Sequence, residues 1–232
     1  MALYVIGDLH LSFSVDKPMH IFDGWDHYEE RLEKNWHRLV QPEDTVVIPG
    51  DVSWGMSLAE SKADFDFLNA LPGKKLLLKG NHDYWWTTRR KMDAFFAENG
   101  FDTLRIVHND AVVVGEVAVC GTRGWFYDAE ADADRKILSR EVGRLQISLS
   151  AAIATGKEPV VFLHYPPVWG GKVCEPFLDV LRENGVKRCY YGHVHGQGIR
   201  QAFCGEMDGV MLQLASADAL KFAPLPIFCG NS

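Results

Sequence analysis

Histidine, aspartate and asparagine gather in five short blocks: Gly7-Asp8-Leu9-His10, Pro49-Gly50-Asp51, Gly80-Asn81-His82-Asp83, His164, and Gly192-His193-Val194-His195. They offer imidazole nitrogen, carboxylate oxygen and a carboxamide oxygen, with no thiolate. That mixed set suits a divalent Mn, Fe, Zn, Co or Ni ion and does not suit a soft copper site or an all-oxygen calcium cage. Residues two apart in an extended segment face the same side, so Asp8-x-His10 and His193-x-His195 can each bring two ligands to one ion. Two ions would use the whole set. Neighbouring cations repel, so an anionic ligand must sit between them, and Asp51 is the candidate.

Each block follows a short apolar run that reads as a buried strand. The runs are Leu3 to Ile6, Thr45 to Ile48, Lys75 to Leu78, Pro159 to Leu163 and Arg188 to Tyr191. In an open α/β sheet, ligands bind in the crevice beyond the carboxyl ends of the strands, so the five loops converge. Helical stretches at Asp26 to Val40, Leu58 to Ala70, Thr88 to Glu98, Asp134 to Thr155 and Pro176 to Glu183 alternate with the strands, which argues an α/β protein. Ala111 to Val114 and Val117 to Cys120 flank Gly115-Glu116 as a hairpin, which makes the sheet mixed. Gly198 to Ala215 reads as two further strands that turn near Glu206-Met207-Asp208-Gly209.

In this order and at these strand ends, the five blocks resemble the calcineurin-like metallophosphoesterases over residues 3 to 195. The resemblance implies two mixed β-sheets packed as a sandwich and flanked by helices, a four-layer αββα arrangement, in one domain over residues 1–232. Carried over residue by residue, it implies that Asp8, His10, Asp51 and His195 hold one metal. Asp51, Asn81, His164 and His193 would hold the other, with Mn or Fe the favoured ions. It further implies metal-activated water as nucleophile, His82 as the histidine that stabilises the transition state or protonates the leaving oxygen, and Asp83 as the residue that orients His82.

The activity implied is hydrolysis of a small soluble phosphate ester without a covalent enzyme intermediate, a phosphodiester slightly ahead of a phosphomonoester. Intact His82 sets the chain apart from the lipid A precursor pyrophosphatases, which carry arginine there. The arginine and glutamate that mark the large phosphoprotein phosphatases are missing from Gly50-Asp51-Val52-Ser53-Trp54 and Gly80-Asn81-His82-Asp83-Tyr84. A reading from another class is a non-catalytic metal-binding scaffold that recruits a protein partner. Its signature, a broken ligand or a lost His82, is not in the sequence.

Trp54, Trp85, Trp86, Trp125 and Trp169 also follow strand-end loops. Trp54, Trp85 and Trp169 are candidates for stacking on substrate, with core packing as the rival reading. Arg123 follows a strand and is a candidate for a forked phosphate contact, an ordinary surface arginine being equally open. Leu11 to His27 is a long connection that either covers the cleft as a lid or packs on the sheet. Asp128 to Asp134 reads as a solvated acidic loop leading into a helix.

Hydrophobic residues make up 47% of the 232, ample for a core, which excludes the disordered and fibrous classes. Lys plus Arg at 24 against Asp plus Glu at 31 gives a net charge of -7, which argues against long nucleic acid as partner. A locally positive cleft keeps a nuclease open. Five cysteines without a Cys-x-x-Cys pair fit a reducing compartment better than a disulfide framework. The first apolar run stops at Asp8, too short for a signal peptide, and no stretch approaches the roughly 20 apolar residues of a membrane span. The expectation is a cytoplasmic protein; the oligomeric state is left open.

Overall fold

The structure, a computed structural model, describes residues 1–125 and 132–229, and of residues 132, 133 and 229 the backbone alone. The strands in chain order are β1 (Ala2–Val5), β2 (Thr45–Ile48), β3 (Lys74–Leu77), β4 (Leu104–Ile106), β5 (Ala111–Val114), β6 (Val117–Thr122), β7 (Glu158–Leu163), β8 (Val168–Trp169), β9 (Lys172–Val173), β10 (Arg188–Tyr191), β11 (Gly205–Met207), β12 (Val210–Leu214) and β13 (Leu225–Cys229). The helices are α1 (Tyr28–Leu39), α2 (Lys62–Ala70), α3 (Arg89–Glu98), α4 (Asp132–Ile153) and α5 (Glu175–Glu183). One mixed sheet runs β13-β1-β2-β3-β4, a second runs β11-β12-β10-β7-β6-β5, and β8 and β9 form a small ribbon.

Alternation along the strands explains why they read as unbroken apolar runs. Leu3, Val5, Val47 and Leu76 point from the first sheet to the second, where Val117, Val119, Val160 and Phe162 meet them. The intervening Tyr4, Val46, Ile48 and Leu77 face the other way, against Leu32 and Trp36 of α1 and Phe65 of α2. In the second sheet, Ala118, Cys120, Val161 and Leu163 likewise turn outward onto Leu145 and Leu149 of α4 and Phe177 and Leu181 of α5. Both faces of each central strand are therefore buried, and the four layers follow.

The two hairpins have local causes. Gly115, at φ 58°, takes the first central position between Val114 and Val117, as a type II′ turn requires. Asp208 and Gly209, at φ 52° and 82°, turn β11 into β12 with Met207 opposite Val210. Gly198 to Gln201, expected as strand, instead lies in a 3-10 turn at Gly196–Gln201, opened by the left-handed Gly196 at φ 53°. The helix expected from Leu58 starts only at Lys62, because Glu60 Oε2 accepts the Met56 amide at 2.8 Å and closes a turn ahead of it. Most of the expected acidic loop, residues 128–131, lies outside the described residues.

Candidate metal centre

The loops that leave β1, β2 and β10 turn back sharply. Asp8, His10, Asp51 and His193 adopt φ of 59°, 48°, 52° and 71°, a left-handed conformation that few non-glycine residues hold. The strain is held by backbone hydrogen bonds between loops: Asp8 N to Gly50 O at 2.9 Å and His10 N to Asp51 O at 3.0 Å. Two glycines allow the close approach. A Cβ on Gly192 would fall on the Asp8 carboxylate, and one on Gly80 would fall on Asp51.

Two groups of donor atoms result, Asp8 with His10 and His195, and Asp51 with His164 and His193. In the first, His10 Nε2 is 3.3 Å from His195 Nε2, which is 3.4 Å from Asp8 Oδ1. In the second, Asn81 Oδ1 is 2.6 Å from His164 Nε2 and 2.8 Å from His193 Nδ1. Asp51 joins them. Its Oδ1 accepts the His82 amide at 2.8 Å, while Oδ2 lies 3.7 Å from His10 Nε2 and 3.6 Å from His164 Nε2.

The electrostatics fit cations. Burial pushes Asp51 up to about 8, and the charge on Asp8 adds to it against the opposing pull of the His82 amide and His195, so a cation beside Asp51 would favour its carboxylate form. Burial acts upward on Asp8 too, yet the charge and the hydrogen bond of His195 hold it well below the carboxylate range. Burial lowers His10 and His164, and with His164 nearby brings His193 to about 3, which leaves these imidazoles neutral with lone pairs to give. His195 goes the other way. Burial opposes its charge, but Asp8 and then Asp218 outweigh burial and raise it to about 10. Seven side chains that offer two carboxylates, an amide oxygen and four imidazoles at such spacing form a donor set suited to divalent ions.

The family model for calcineurin-like phosphoesterase matches residues 1–197. The chain belongs to this family. Among curated proteins, the Gene 66 protein of Mycobacterium phage L5 is 32% identical over 77 residues, which span 33% of this chain and 37% of that protein's length. Among solved structures, the phosphopantetheinyl hydrolase of Mycobacterium tuberculosis is similar at a TM-score of 0.56 and 15% identity, with 99% of this chain and 96% of that one covered. A protein of unknown function from Aquifex aeolicus gives 0.53 at 17% identity, covering 97% and 95%. At such identities these structures support the fold alone.

Around the candidate centre, the other expected residues divide. Trp54 is where a cleft wall should be: its ring stacks on His10 with centroids 5.0 Å apart and lies 4.4 Å from the His82 ring. Trp85 is not. It is buried, edge-on to Phe65, with its Nε1 donating to Asp83 Oδ1 at 2.9 Å. Asp83 does not orient the His82 imidazole. Its carboxylate is saturated by the amides of Asp51, Val52 and Gly80 at 2.9, 2.9 and 2.7 Å.

Arg123 turns its guanidinium to the buried Glu141, 3.5 Å away, and lies over the Trp125 ring, so its side chain serves the fold where a phosphate contact was expected. Its carbonyl instead accepts the His164 amide at 3.1 Å. Trp169 is tied to Gly198 O through Nε1 at 3.1 Å and packs on the outer core of the second sheet. The connection after His10 is pinned at both ends. Asp64 Oδ1 accepts the Phe13 amide at 2.8 Å, and the buried Trp25 sets its edge against the His10 and His195 rings at 5.9 and 5.8 Å. Asp218 was not anticipated. It follows β12 as the five blocks follow their strands, without a histidine to mark it.

Proposed function

We propose that the protein hydrolyses a small soluble phosphate ester, with a phosphodiester ahead of a monoester. Asp8, His10, Asp51 and His195 would hold one divalent cation, and Asp51, Asn81, His164 and His193 the other, with Mn or Fe ahead of Zn, Co or Ni. The observation that carries this reading is Asp51 Oδ2, placed between His10 Nε2 and His164 Nε2 at 3.7 and 3.6 Å. When bound, two such ions supply Lewis-acid charge and lower the pKa of a water nucleophile.

The chain's own residues do the rest. His82 is half-buried between Trp54 and Tyr84, and its Nδ1 is enclosed without a partner among the described residues. That leaves Nε2 to hold the proton for the leaving oxygen, a role worth about 10² to 10⁴ in rate. Trp54 covers one side of His10 and His82 and excludes water there.

Charge supports the diester. A monoester dianion calls for cations beyond the metals, yet Arg123 is committed to Glu141 and Arg89 to Asp93 and Asp110. No helix among the described residues is long and apolar enough to cross a membrane. Cys120, Cys174 and Cys189 are buried free thiols and Cys204 is exposed and free, which supports a reducing, cytoplasmic setting. The test is hydrolysis of bis-(p-nitrophenyl) phosphate against p-nitrophenyl phosphate by metal-stripped protein refilled with manganese, beside His82→Ala. We expect diester turnover to lead and to fall at least tenfold in the variant with both metals retained. Monoester preference would overturn the substrate class, and unchanged turnover in the variant would remove His82 from the chemistry.

A further inference from the structure

We infer that Asp218, which offers no ligand atom of its own, sets the affinity of the metal site containing His195. The inference rests on the two-metal reading above. Asp218 Oδ1 lies 3.0 Å from His195 Nδ1, while Oδ2 accepts the Gly196 amide at 2.9 Å. With Oδ1 accepting, one proton of His195 stays on Nδ1, so a cation would have to displace only the proton on Nε2, which faces the space it shares with His10 Nε2 and Asp8 Oδ1 at 3.3 and 3.4 Å. A carboxylate behind an imidazole fixes its tautomer and ring angle and makes the ligating nitrogen more basic. His164 is backed differently: its Nδ1 faces the neutral Pro49 carbonyl at 3.2 Å.

Asp218 reaches this position through the turn that also carries Asp8. Gly7 N donates to Ala215 O at 2.7 Å and Ala217 N to Gly7 O at 2.9 Å, so the segment after β12 lies alongside the loop after β1. The carboxylate is only 9% exposed, which limits how far solvent screens it. It also lies beyond residues 1–197, the part matched by the family model. A positioning residue for one metal is thus supplied by the part of the chain outside that match.

The alternative role is structural, since Asp218 also holds the Gly196 turn. Titration of metal-stripped protein with Mn(II), followed by calorimetry and by the EPR signal of the coupled ion pair, separates the two roles. The wild type should take up two ions. In Asp218→Ala one site should weaken about 10- to 100-fold while the other is unchanged, and the coupled signal should give way to that of a single ion at matched metal. Asp218→Asn keeps an acceptor oxygen without the charge and should recover part of the loss; it carries the test if the alanine variant fails to fold. Unchanged affinities, or equal weakening of both sites, would overturn the positioning role. Fewer than two ions in the wild type would overturn the two-metal reading itself.

Discussion

Asp83 Oδ2 accepts the backbone amide of Asp51 at 2.9 Å and that of Gly80 at 2.7 Å, so one buried carboxylate fastens the loop after β2 to the loop after β3. Its other oxygen takes the Val52 amide and the Trp85 indole. Asp83→Ala would strand these donors in the interior, each at a cost of about 1 to 3 kcal/mol. The expected result is several kcal/mol of lost stability in urea unfolding of the metal-free protein. A residue that served only to aim His82 would give the reverse pattern, low turnover at an unchanged unfolding midpoint.

Gly192 leaves room for the Asp8 carboxylate, whose two oxygens accept the His193 amide at 2.9 and 3.0 Å. In Gly192→Ala the new methyl should push Asp8 aside. We expect a folded protein that retains about one equivalent of manganese by elemental analysis, a reading based on its three-donor group with His10 and His195. Two equivalents with wild-type turnover would contradict the packing argument.

If Asp51 is the shared anion, as proposed above, removing its charge should be felt by both ions. Asp51→Asn is expected to lose at least one of them, because the cations would then face each other with only a neutral amide between them. Full occupancy by elemental analysis would refute the bridging assignment.

Lys75 tests an effect remote from the metals. It is buried, with Nζ donating to Leu71 O and to Thr103 Oγ1, and burial brings its ammonium down to about 8 from 10.5. Between those values the unfolded chain binds more protons than the folded one, so stability should climb as pH rises through the window. The slope is at most about 1.4 kcal/mol per pH unit. Lys75→Met should flatten it, as read by urea midpoints across the same window; an unaltered slope would exclude Lys75 as its source.

That the five blocks would meet was legible because the evidence for each is local: a metal-binding residue type, a strand before it and a turn beneath it. What Asp83 does was not, since its partners are backbone amides, which every residue carries. Trp54 and Trp85 follow similar loops and have opposite fates, one against His10 and one against Phe65, because tertiary packing decides which face of each loop meets solvent. Alternating burial in the sandwich was hidden for a related reason: Val46 and Val47 look alike, though one faces helices and the other a second sheet. Pro226 interrupts β13, which is tolerated because that strand lies at the sheet edge, and so no strand was read there.

The pairing of β1 with β13 sets Ala2 opposite Cys229, so the strand that leads to Asp8 and His10 gains its outer neighbour only through a contact very far apart in sequence. Asp8 and His10 follow a strand whose outer edge is covered only by residues 225–229. Such long-range closure is slow to find, because the loop entropy is lost before the contacts form. Until that pair closes, the chain holds scattered histidines and carboxylates in place of the two donor groups of the folded protein.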